Sequence, residues 1–93
     1  MPRYKVAHIR EQGQDMIIFP VDSSMDSKSN EEQNTIRVDM QLHARHAGLK
    51  GIVVLVWDSA GRMKFLAPQQ WRSFFESINL AFVGANLNRE IYW

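Results

Sequence analysis

The chain has 93 residues, 45% hydrophobic and 23% charged, with a formal net charge of +1 and no cysteine. That length holds one domain, 1–93, since two halves would each be too small to bury a core, and the composition is that of a folded chain rather than a disordered or fibrous one. The missing cysteine excludes disulfides, thiolate metal sites, iron–sulfur clusters and cysteine nucleophiles, and the near-zero net charge gives no global pull toward nucleic acid or acidic membranes.

Residues 4–10 read as a first strand, with Tyr4, Val6 and His8 on one face and Lys5, Ala7 and Ile9 on the other. The polar stretch at 11–14, with Gly13, suits a hairpin turn into a second strand over 16–19 that Pro20 brings to an end. Residues 22–29 carry four serines, two aspartates, one methionine and one lysine without periodicity, and are expected to form a mobile loop.

The next segment carries two patterns. Ile36, Val38, Met40, Leu42 and Ala44 alternate with polar residues, as in a strand. Yet Ser29 followed by Glu32 forms a capping box and Gly48 stands where a helix would stop, over a span too long for a strand in a small domain. The caps, the length and the helix-forming Gln, Met, Leu, Ala and Arg residues predict a helix. Its core stripe is then Ile36, Met40, His43 and Ala47, and Val38 and Leu42 fall outside it.

The run 52–57, Ile-Val-Val-Leu-Val-Trp, predicts a central strand buried on both faces. A tight turn at 58–61 returns the chain into a fourth strand over 62–66. Pro68 then opens a helix running to about Leu87, with Trp71, Phe74, Phe75, Ile78, Ala81, Phe82 and Ala85 recurring at intervals of three and four. Trp71, Phe75, Ile78 and Phe82 are assigned to the core. Residues 88–93 are expected to form an apolar tail. The order is ββαββα, an α+β fold with one four-stranded mixed sheet packed by two helices, both on one face or one on each. The hairpin-then-helix ending is similar to the last third of thioredoxin-like domains, but the redox cysteines of that activity are missing and the likeness carries no function.

His43 and His46 are three apart on the predicted helix, a weak metal pair to be completed by His8 or a loop aspartate. Asp22 and Asp58 end strands and would meet if those strands are neighbours, although aspartates at such places commonly open turns. No serine sits in a glycine-flanked elbow, and no two glycines fall at the spacing of a phosphate cradle. No enzyme, cofactor or metal is therefore expected. Charge is segregated: residues 15–39 hold six acids and two bases, residues 40–72 five bases and one acid. Arg45, Lys50, Arg62 and Lys64, with Trp57 and Phe65 as stacking platforms, make a sheet-based nucleic-acid binder the alternative function. A metal- or carboxylate-dependent enzyme is the second alternative.

The main expectation is a small binding protein, an adaptor, regulator or accessory module that forms a homodimer. Val38, Leu42, Phe74, Leu87, Ile91, Tyr92 and Trp93 look like more apolar surface than one small core hides, and surplus of that kind suits an interface with a second copy or another protein. No signal peptide is expected behind the basic residues 1–5, and the longest apolar run is far below the ~20 residues that span a bilayer. No membrane partner is expected, and the chain reads as cytoplasmic.

Overall fold

The computed structural model describes residues 3–11 and 13–92. Five strands, not four, build one mixed sheet: β1 (Arg3–Glu11), β2 (Gln14–Pro20), β3 (Ile52–Ser59), β4 (Arg62–Leu66) and β5 (Arg89–Tyr92). Their spatial order is β4-β3-β2-β1-β5. β1 runs antiparallel to β2 and β5, β3 antiparallel to β4, and β2 parallel to β3. The predicted hairpins and the mixed character of the sheet are present. The fifth strand is the correction to the expected architecture. The Cα radius of gyration is 12.3 Å, as expected of one compact domain of this length, about 12 Å.

The long helix α1 (Asn30–His46) has the capping box read from the sequence. The Ser29 hydroxyl accepts from the Glu32 backbone N–H at 3.1 Å, and the Glu32 carboxylate accepts from the Ser29 N–H at 3.2 Å. The second bond, a backbone donor on a carboxylate, holds the Glu32 pKa below its ordinary value. α1 settles on the sheet along Ile36, Met40 and Ala44, one i, i+4 line. Ala47, expected in that stripe, is exposed, and His43 lies on its flank beside Asp39 at 3.6 Å. The strand-like alternation thus has a helical explanation: every second one of its apolar residues, Ile36, Met40 and Ala44, faces the sheet, and Val38 and Leu42 face away, 48% and 50% exposed.

The C-terminal helix of the sequence reading is broken. A single 3-10 turn (Gln69–Trp71) leads into α2 (Arg72–Ser77), and after an extended Ile78 a separate α3 (Leu80–Ala85) begins. Serine and asparagine compete for backbone hydrogen bonds. The Ser77 hydroxyl donates to the Phe74 carbonyl at 2.6 Å, and the Asn79 side chain caps α3 by accepting from the Phe82 N–H at 3.0 Å. The break resets the helical phase. Trp71 and Phe75 are buried as expected, but Val83 takes the core position assigned to Phe82, which is 37% exposed.

The sheet has a core on each face. Val6, Ile17, Phe19, Val53, Leu55, Trp57 and Ile91 pack with α1 and with Met25 of a short 3-10 turn (Ser23–Ser27). Ala7, Met16, Ile18, Val54 and Val56 pack on the other side with Trp71, Phe75 and Val83. One helical layer on each face was one of the two arrangements anticipated. It also takes up Phe74 and Leu87 from the apparent surplus of apolar residues, while Val38 and Leu42 stay exposed.

Candidate binding groove

The parallel strands β2 and β3 bring their carboxyl ends to the same side of the sheet. The 3-10 turn after β2 lies over the end of β3. Asp22 fixes that turn by accepting from the Ser24 N–H at 2.8 Å, and Met25 anchors it in the core. Asp26 is thereby delivered to three donors: Ser59 Oγ at 2.8 Å on Oδ2, and Lys64 Nζ at 3.0 Å and Trp57 Nε1 at 3.4 Å on Oδ1. Asp26, not Asp22, is the aspartate that reaches the β3–β4 hairpin.

The Lys64 bond first, then those of Ser59 and Trp57, pull the Asp26 pKa below its ordinary 3.8. A general base needs the opposite, a pKa moved toward neutrality. The cluster is a clamp tying the 3-10 turn to the hairpin, rather than a means of activating Ser59. A depressed folded pKa gives stability that is present above the unfolded value and lost as pH falls through the folded one. The Asp26 carboxyl is expected to titrate below 3.8 in a carbon-detected NMR titration, and Lys64→Met to move the midpoint upward. A midpoint at or above 3.8 would contradict the clamp.

Beside the clamp an open cleft of about 570 Å³ follows β4, lined by residues including Lys28, Gln33, Lys64, Phe65 and Arg72. A second depression of about 510 Å³ shares Leu66 and Ala67 with it and continues between the end of β4 and α1, past Arg37, Gln41 and Arg45. A third shares Arg45 and reaches Lys50. The first two linings together hold five cations, Lys28, Arg37, Arg45, Lys64 and Arg72, and one acid, Asp26. Lys64 is partly neutralised by Asp26, and Arg72 pairs with Glu76 at 3.4 Å on its own helix. Where β3 extends beyond β4, its edge is closed by Gln41. The Gln41 amide accepts from the Val53 N–H at 2.9 Å and donates to the Gly51 carbonyl at 3.0 Å.

Of the residues singled out for nucleic acid, Arg45, Lys50 and Lys64 fall along this groove, and Arg62 begins β4, exposed. Of the proposed stacking platforms, Trp57 is 4% exposed, and Phe65 is half-buried and packs against Phe75, ring centroids 5.4 Å apart. His43 and His46 gather no third ligand, and His8 bonds through Nε2 to the Lys50 carbonyl at 2.8 Å. Among the described residues no group of three or more histidines and acids is placed to hold a metal. The seven apolar interface candidates separate. Val38 and Leu42 lie on α1, Phe74 and Leu87 pack against the core on the opposite face, and Ile91 is 1% exposed within the α1-side core. The Tyr92 side chain and Trp93 lie outside the described residues.

The sequence reading noticed the basic segment, which includes Arg72, and missed Asp26, Lys28 and Arg37 as its neighbours. They come from the acidic segment, so only the fold brings them together. Among the described residues no helix is long and apolar enough to cross a membrane. Compared with known proteins, the chain matches no family model, no curated protein and no solved structure.

Proposed function

We propose that the protein acts by binding, as a small accessory or regulatory module, and that the basic groove along β4 is its recognition surface for an anionic partner. The observation that supports this is the groove's imbalance of charge: five cations and one acid on two continuous depressions of a chain whose net charge is only +1. Concentrating one sign in a cleft raises the local concentration of an oppositely charged partner and speeds its arrival. The test is binding of poly-glutamate, followed by calorimetry. Affinity is expected to fall about tenfold between about 50 and about 200 mM salt, because exposed charges are screened over that range. The double variant K28E/R72E is expected to lose at least as much. Affinity indifferent to both salt and charge reversal would overturn the proposal.

Self-association as a homodimer is the second reading. It is supported by Val38 and Leu42, neighbours on the outer side of α1 that remain about half exposed. Sedimentation of V38E/L42E against the parent chain separates it from the first, since these residues line neither of the basic depressions along β4.

A further inference from the structure

The β3–β4 hairpin turns through Ala60 and Gly61, both at positive φ (53° and 84°), as a two-residue type I′ turn requires. The closing pair of such a hairpin, Ser59 with Arg62, exchanges both of its backbone hydrogen bonds, and along an antiparallel ladder such pairs alternate with pairs that exchange none. Trp57 with Lys64 and Leu55 with Leu66 are therefore bonded pairs. Met63 and Phe65 direct their N–H and C=O groups away from β3. β4 ends the sheet, so among the described residues no strand lies beyond it. Four backbone hydrogen-bonding groups thus face the basic groove.

We propose that this edge accepts an acidic, extended peptide segment of a partner protein as a sixth strand beside β4. The inference rests on the groove being the binding surface, and it adds the chemistry of the occupant. An added strand would bond to Met63 and Phe65, and its alternating side chains would point toward the two walls. Lys28 and Lys64 stand on the α1 side, whereas Arg72 on the α2 side is paired with Glu76, so acids are favoured on the α1 side. The lining from Met63 to Ala67 accommodates about five residues, roughly 17 Å of strand.

A second copy fits this edge poorly. The antiparallel register that uses both outward residues of each copy sets Lys64 opposite Lys64, and like charges directly across a ladder repel. Single-stranded nucleic acid shares the negative charge, but it is held by stacking bases on open aromatic rings, and beside this groove Trp57 is buried and Phe65 is half-buried against Phe75.

The experiment uses the full chain and a blocked octapeptide of alternating glutamate and valine. Two further versions are N-methylated at every second residue, in the two alternate phases. An added strand presents only one phase of its N–H groups to β4. One methylated version is therefore expected to lose tenfold or more in affinity while the other stays within about twofold of the parent peptide. If both methylated versions bind as well as the parent, strand addition is overturned while the anionic groove stands. If an eight-nucleotide thymidine strand binds more tightly than the peptide, the partner class is nucleic acid and the proposal fails. If neither probe binds, the groove reading fails with it.

Discussion

Ile91→Ala is expected to destabilise the fold by about 2–5 kcal/mol, the cost of removing a buried isoleucine and leaving a cavity. Ile91 sits on a four-residue edge strand, where fraying would be the default. It is nevertheless 1% exposed, packed in the cluster that includes Val6 and Ile17 and paired in the ladder with Tyr4. The strand is held in place just before it begins. The Asn88 amide accepts from the His8 N–H and donates to the His8 carbonyl, each at 2.9 Å, extending the pairing with β1 by a side chain. Domains of this kind have about 5–15 kcal/mol of stability in total, so the loss is a large fraction of it. Urea unfolding should show the midpoint falling with little change in slope. The sequence reading placed Ile91 in a dimer interface. That reading predicts a variant of nearly unchanged stability whose association is weakened, and a loss below about 1 kcal/mol would favour it.

Gly51→Ala is expected to cost about 3 kcal/mol or more, because two penalties coincide. The residue has φ +127°, a conformation that side chains strongly disfavour, at about 1–3 kcal/mol. A Cβ there would also stand 2.7 Å from the Asp15 carbonyl oxygen, which is backbone and cannot swing aside. Any shift that relieves the clash moves the Gly51 carbonyl from Gln41 and disturbs the entry to β3. Gly48→Ala is the control. It shares a positive φ of +80° but meets nothing within 4 Å, so it should pay the conformational cost alone. Equal losses for the two variants in chemical denaturation would contradict the close approach.

How far the sequence could be read depended on the range of the forces involved. Local chemistry was legible: the Ser29–Glu32 box, the stop at Gly48, the turn before Arg62 and the doubly buried run 52–57 all act within a few residues. The C-terminal half was legible only in part. Its apolar spacing predicted one helix, but Ser77 and Asn79 redirect backbone bonds and shift the phase by one residue, exchanging Phe82 for Val83 in the core. β5 was not legible as a strand, because its pairing depends on β1, more than 80 positions away, and on the Asn88 bridge to His8. The surplus of apolar residues divides: Phe74, Leu87 and Ile91 belong to the two cores of a sheet covered on both faces, whereas Val38 and Leu42 stay exposed. The groove was the least legible feature. Its cations come from the 3-10 turn region, α1, β4 and α2, and Asp26 meets Trp57, Ser59 and Lys64 only after the chain has folded.

The most direct test of the binding groove is a backbone amide NMR titration of the full chain with the alternating glutamate–valine octapeptide. The account predicts the largest shifts at Met63 and Phe65, whose amides face the groove, with smaller ones at Lys28 and Arg72 on its walls. Shifts centred on Val38 and Leu42, or spread evenly over the surface with β4 unaffected, would contradict it.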